Sequence, residues 1–253
     1  MISSDEIRID TDGDISVVTL ARPSRRNALS SELARSVAEA LDEGGRRSRV
    51  VILTGEGDAF CAGGDLEELD RWSHLDPDEI GSVLYASFQQ MIRTIRSSPA
   101  IVIAAVNGAA VGAGMDLALA CDLRVASETA RFGQIWVRLG VIPGTGGAFL
   151  TQMVAGTGRA SEMLLTGDLI SAADAHTAGL VNKVVPHEQL MEEARAMAER
   201  VLRHPHQGVI ANKQAIVAAT DAQMEAALQH AAEVQPGRFT SDEFRAAVRK
   251  ALS

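Results

Sequence analysis

Ala104 to Val125 reads AAVNGAAVGAGMDLALACDLRV, and how this stretch is read decides the fold. It begins as the end of an apolar strand, breaks at Asn107-Gly108 and passes through Ala109-Ala110-Val111-Gly112-Ala113-Gly114. The helix-like MDLALA and a second short strand follow. Small residues let backbone approach a ligand closely. A helix that starts at such a point aims its free N–H groups and positive dipole end at that ligand. Both properties suit an oxygen that becomes negative during a reaction. Tight packing of a buried helix accounts for the same spacing, so the stretch alone leaves both readings open.

Working outward, the chain alternates strands and helices. Val50-Val51-Ile52-Leu53-Thr54 is a short apolar run, as in a strand buried on both faces, and the loop Gly55 to Asp65 follows it. Near the start, Ile7 to Asp10 and Ile15 to Leu20 flank Thr11-Asp12-Gly13-Asp14, the pattern of a hairpin. Ser30 caps a predicted helix whose apolar positions are Leu33, Val37, Ala40 and Leu41 and which Gly44-Gly45 is expected to end. Asp76-Pro77 opens a long helix with the stripe Ile80, Val83, Leu84, Ser87, Phe88, Met91, Ile92 and Ile95, stopped at Ser98-Pro99. Arg131 to Trp136 and Leu139 to Gly147 read as loops around a second helix start near Thr145. From Ser161 onward the chain is mostly helical, interrupted by a strand-like Leu180 to Val185. This order predicts an α/β protein of ββα or βαβ units with a largely parallel arrangement. The expected division is a core over residues 1–200 and a helical region over 201–253 that covers the core or makes an oligomer contact.

With 253 residues, 46% of them apolar and 23% charged, the composition is that of a soluble globular protein. A net charge of -9 argues against a nucleic-acid partner or an anionic membrane surface. Two cysteines, Cys61 and Cys121, make no disulfide framework and fit a reducing cytoplasm. The start MISSDEIRID has no signal-peptide pattern, and no apolar run approaches membrane-spanning length. The six histidines show neither metal spacing nor a triad setting, so neither a metal nor a separate cofactor is expected.

Three stretches together resemble the crotonase (enoyl-CoA hydratase/isomerase) superfamily: Arg22-Pro23 with Asn27-Ala28-Leu29, Ala59 to Asp65 (AFCAGGD), and Ala105 to Asp122. Phe132-Gly133-Gln134, Leu139 to Gly144, Leu165-Thr166-Gly167 and Ala178-Gly179-Leu180-Val181 continue the match in order. The resemblance implies a crotonase-like spiral of ββα units with a helical C-terminal region, assembled as a homotrimer or a dimer of trimers. It implies an acyl-CoA ligand, with coenzyme A entering as part of the substrate, whose thioester oxygen takes two backbone N–H bonds. Carried over by position, those donors are Ala62 and Ala113. Ala113 is often Gly in the family and carries no penalty here if its φ is negative.

In the family's hydratases two glutamates add water across a conjugated double bond. Their positions hold Asp116 and Trp136 here. Asp116 keeps a carboxylate withdrawn by about 1.5 Å, whereas an indole N–H only donates. The Asp that several isomerases place after the Ile-Pro turn is Gly144 here. Standard hydration is therefore disfavoured, and Asp116 is the candidate base; its alternative role is to complement a helix dipole. Further residues implied at the ligand are Arg25, Ala28, Cys61, Gly63, Gly64, Asp65, Leu66, Gly112, Trp136, Pro143, Gly144 and Phe239. Of these, Trp136 is expected as a pocket wall, Cys61 as a buried filler, Asp65 as a helix cap and Arg25 as a contact to CoA phosphates. Glu67 and Glu68 stand where relatives often have a lysine near the CoA. A binder that holds acyl-CoA without turnover, and a CoA-thioester hydrolase or decarboxylase, are the alternative functions.

Overall fold

The computed structural model describes residues 6–252. Its strands are β1 (Ile7–Asp12), β2 (Ile15–Leu20), β3 (Val50–Gly55), β4 (Ala59–Cys61), β5 (Ile101–Val106), β6 (Ala109–Val111), β7 (Leu123–Ser127), β8 (Arg131–Gly133), β9 (Ile170–Ser171) and β10 (Lys183–Val185). The helices are α1 (Ser31–Arg47), α2 (Leu66–Trp72), α3 (Pro77–Val83), α4 (Gln90–Ser97), α5 (Ala113–Ala120), α6 (Gly147–Thr166), α7 (Ala172–Thr177), α8 (Leu190–Leu202), α9 (His206–Ala218), α10 (Asp221–Phe239) and α11 (Asp242–Leu252).

Two sheets organise the chain, a six-stranded one in the order β1-β2-β3-β5-β7-β10 and a four-stranded one in the order β4-β6-β8-β9. The β1–β2 and β8–β9 pairs are antiparallel and the other pairs parallel. Each turn of the chain lays one strand in the large sheet, the next in the small sheet, and then a helix: β3-β4-α2, β5-β6-α5, β7-β8-α6. This is the expected spiral of ββα units.

The continuous apolar runs exist because the large sheet is covered on both faces. Alternate residues Ile15, Val17, Val50, Ile52, Ile101 and Ile103 pack with Leu190, Ala194 and Met197 of α8. Their neighbours Val18, Leu20, Val51, Leu53, Val102 and Ala104 join Leu33, Val37 and Leu41 of α1 in the main core. A one-residue shift of register would exchange the two sets.

The hairpin turns at Gly13, with φ 56, as expected. Ser30 caps α1 by accepting from Leu33 N at 3.1 Å, but Gly44-Gly45 does not end the helix, which continues to Arg47. Both glycines are buried where α1 crosses the sheet. A β-carbon on Gly44 would lie 3.3 Å from Val51, and one on Gly45 2.9 Å from Ser98 Oγ. Their small size serves close packing rather than a left-handed stop. Asp76 and Glu79 form the cap of α3, and the expected stripe is buried apart from a half-buried Val83. Between α3 and α4 the helix widens into a π-turn, Leu84–Gln89, which brings Gln89 into the interior as well. Residues 131–136 are not all loop: β8 forms there, followed by a short 3-10 turn, Ile135–Leu139. Helix α6 begins well before Ser161 and bends at Gly156, whose φ of 77 and ψ of 164 interrupt it.

The C-terminal helices are tied to the core by buried polar contacts. Lys213 of α9 is 5% exposed. Its Nζ donates to Asp122 Oδ2 at 2.8 Å and to the carbonyls of Ala100 and Ile95 at 2.9 and 3.1 Å. Removing one partner of a buried ion pair strands the other charge. Lys213→Ala is therefore expected to lower stability by about 3–5 kcal/mol, read as an earlier urea midpoint; a loss near zero would show that this anchor carries no weight.

Candidate active site

The site forms where the loop after β4 meets the start of α5. The approach is very close: a β-carbon on Gly114 would lie 2.1 Å from the carbonyl oxygen of Cys61, and one on Gly63 3.0 Å from that of Val111. Gly112 and Gly63 take φ of 53 and 97, values that cost glycine nothing. Ala113, by contrast, is not among the positive-φ residues, so its methyl is unstrained.

Ala113 is the first residue of α5, fully buried, and no side chain caps the helix. The first intrahelical donor is Asp116 N, to Gly112 O at 3.1 Å. The Ala113 N–H thus takes no acceptor among the described residues. Buried helix starts are normally satisfied by a cap or a ligand.

The partner amide is not the expected one. Ala62 N donates to the carbonyl of Arg26 at 3.0 Å, so it is already engaged. Two residues on, Gly64 forms a parallel bridge with Leu29, in which Leu29 N donates to Gly63 O and Asp65 N donates to Leu29 O. That pattern uses the groups on either side of Gly64 and turns its own N–H away from Leu29. No acceptor among the described residues takes it. The amides of Gly64 and Ala113, one on each abutting turn, are among those that no described acceptor takes. The Ala62 amide is engaged, and the bridge at Leu29 shows that the Gly64 amide is not.

Asp116 lies one turn along α5 and is fully buried. Gln134 Nε2 donates to its Oδ1 at 2.8 Å, and Thr145 Oγ1 donates to its Oδ2 at 2.5 Å. Its carboxyl rests on Gly147 at the start of α6, where a β-carbon would lie 2.0 Å from Oδ1. Burial raises its pKa to about 6, against the lowering influence of Thr145, Gln134 and Trp136, in that order. The Trp136 N–H has no hydrogen-bond partner of normal geometry, so its influence on Asp116 is that of a nearby dipole. Sequence reading found Asp116 but not Gln134, Thr145 or Thr151, whose hydroxyl also accepts from Gln134 Nε2 at 3.0 Å.

Trp136 packs beside the start of α5, its ring 3.6 Å from where a β-carbon on Gly112 would be. Cys61 is buried, its thiol pushed up to about 12 by burial, which leaves it a neutral filler. Asp65 caps α2, its Oδ1 accepting from Glu67 N and Glu68 N at 3.0 and 3.2 Å, while its Oδ2 faces Arg22. Leu66 opens α2 beside it. The Ala28 carbonyl accepts from Arg22 at 2.9 Å. Arg25 is half exposed and paired with Glu67 at 2.6 Å, a surface ion pair of the kind that adds little stability. Glu68 turns inward and accepts from Ser31 N at 2.7 Å. Pro143 is half-buried next to a buried Gly144.

Phe239 is not placed on the cleft. It is 1% exposed, with ring centroids 5.5 Å from Trp72 and 5.0 Å from Phe244, both edge-to-face. It belongs to an aromatic core that seats α10 and α11 on α2. A cavity of about 1040 Å³ lies at the far end of α5, lined by Cys121, Arg124, Met197 and Lys213 among others, and includes neither the two amides nor Asp116.

A carboxyl with a raised folded pKa costs stability once the unfolded chain has ionised. The cost is absent below the ordinary value near 3.8, grows as pH rises toward about 6, and stays at its full size above that. A shift of this size corresponds to about 3 kcal/mol. Asp116→Asn removes the slope. The variant is expected to gain most over wild type at alkaline pH in urea denaturation and to lose that advantage in acid; a difference independent of pH would refute the buried-carboxylate account.

Comparison with known proteins gives a consistent picture. A family model described as Enoyl-CoA hydratase/isomerase matches residues 10–251. The chain is 39% identical over 208 residues to a putative enoyl-CoA hydratase of Thermus thermophilus, covering 81% of each chain. It is 34% identical over 238 residues to the short-chain-enoyl-CoA hydratase of Clostridium acetobutylicum, covering 93% of this chain and 90% of that one. A crystal structure of an enoyl-CoA hydratase/isomerase from Mycobacterium paratuberculosis superposes with a TM-score of 0.90 at 30% identity, covering 98% of each chain.

Proposed function

The chain belongs to the enoyl-CoA hydratase/isomerase family, and on that premise we propose that it shifts the double bond of an enoyl-CoA thioester by a one-base proton transfer. The observation that carries this reading is the buried, uncapped start of α5 beside the unclaimed Gly64 amide. On this reading the two donors receive the thioester oxygen as it gains charge, and each is typically worth about 3–4 kcal/mol in the transition state.

In this mechanism the Asp116 carboxylate removes a proton from C2 of a 3-enoyl thioester. The C–H electron pair becomes the C1–C2 double bond of a dienolate, whose oxygen receives the Gly64 and Ala113 N–H groups. Protonation at C4 by the same carboxyl then gives the 2-enoyl thioester and regenerates the base. A pKa near 6 suits a group that must both take and return a proton.

Hydration needs a second group to exchange a proton with water. The groups around Asp116 are Thr145, Gln134 and Trp136, and none of them does so at neutral pH. That same scarcity favours a second reading, an acyl-CoA binder with little turnover. With 3-enoyl-CoA, wild type is expected to turn over with a rate that rises with pH through about 6 and then levels. Asp116→Ala is expected to lose about 100-fold or more, and crotonyl-CoA to be hydrated far more slowly than 3-enoyl-CoA is isomerised. Full activity in the alanine variant rejects Asp116 as the base. Binding without turnover of either substrate selects the second reading.

A further inference from the structure

The turn Ile142-Pro143-Gly144-Thr145 leads into α6, and its last residue supplies the hydroxyl that holds Asp116. Two buried glutamines grip the main chain of this turn from separate elements. Gln235, on α10, donates Nε2 to the carbonyl of Ile142 at 2.6 Å. Its Oε1 lies so close to Gly144 that a β-carbon there would be 1.8 Å away. Gln89, the last residue of the π-turn, donates Nε2 to the carbonyl of Gly144 at 3.1 Å and to that of Leu228, on α10, at 2.8 Å. Both side chains are fully buried, and neither Oε1 meets a donor among the described residues. Leaving two buried carbonyls unpaired is costly, so the orientation is set by what the amide nitrogens hold.

We propose that Gln89 and Gln235 are positioning residues: they clamp the Ile142–Thr145 turn so that the Thr145 hydroxyl stays on Asp116, which makes α10 a working part of the site. Gly144 is then required for its lack of a side chain, since any larger residue would displace Gln235. The consequence for turnover rests on Asp116 being the base, as proposed above; the consequence for its titration does not. The groups facing Asp116 are Gln134 and Trp136 after β8, Thr145 and Gly147 at the start of α6, and Cys61 on β4. Cys61, the titratable member of that set, is neutral across the range concerned.

The test follows the carboxyl carbon resonance of Asp116, assigned through Asp116→Asn, as pH is varied in the unliganded protein. Thr145→Val removes the hydroxyl and should move the midpoint upward, because that bond favours the ionised form. Gln235→Met and Gln89→Met, which keep volume, are expected to move it in the same direction. Adding Gln235→Met to Thr145→Val should move it no further. The acid limb of the rate profile should shift in step, with KM nearly unchanged. Wild-type midpoints in well-folded glutamine variants, or an additive shift in the double variant, would overturn the proposal, as would variants that simply unfold with no native titration. A wild type that titrates as expected but binds no acyl-CoA would instead count against the functional reading and leave the clamp standing.

Discussion

Everything in this site depends on how closely two stretches of backbone are allowed to approach. The carbonyl of Cys61 sits against Gly114 at a distance no side chain would permit, and Gly63 lies less tightly against Val111. That contact brings the turn after β4 to the start of α5, where the Gly64 and Ala113 amides take no acceptor among the described residues. Hydrogen-bond donors held in such a setting act strongly, because neither rearrangement nor solvent dilutes them. The ββα spiral exists, in this sense, to hold a strand end and a helix start edge to edge.

Around that contact the protein places a carboxyl where ionisation is unfavourable and then restrains it. Burial works against the charge; Thr145, Gln134 and the Trp136 dipole work for it. Burial outweighs the three, and the balance falls at about 6. Holding the group there lowers stability at physiological pH. The polar groups that set this balance come from two parts of the chain, the turn after β8 and the start of α6, and the C-terminal helices reach the latter through buried side chains rather than as a loose cover.

The sequence displayed the fold almost whole. The alternation of apolar runs with Gly-rich turns, and the caps at Ser30 and Asp76, report local preferences that the tertiary structure keeps. It misled where a residue serves packing instead of its usual local role. Gly44-Gly45 looks like a helix stop and is a helix–sheet contact. Gln89 lies off the apolar stripe and is drawn inward by a π-turn that no periodicity announces. Phe239 matched a ligand-facing position and is consumed by an aromatic cluster. For the site, the motif located both turns and the carboxylate. It did not reveal which amide stays free, because that depends on a bridge between Leu29 and Gly64 made by main-chain atoms alone. Nor did it point to Gln235, which lies more than a hundred residues beyond Asp116 and has no motif of its own.

The two thiols have a consequence beyond the site. Cys61 and Cys121 are both unpaired, buried, and held near 12 by burial, so the folded chain presents almost no thiolate to an oxidant or an alkylating reagent. The thiolate is the reactive species. Modification of Cys61, fully buried, then waits on release of β4 from the core, whereas Cys121 also lines the cavity at the far end of α5. The Cys61 thiol is therefore a clock set in the first turn of the spiral, whose rate of labelling records how often β4 comes away from the core.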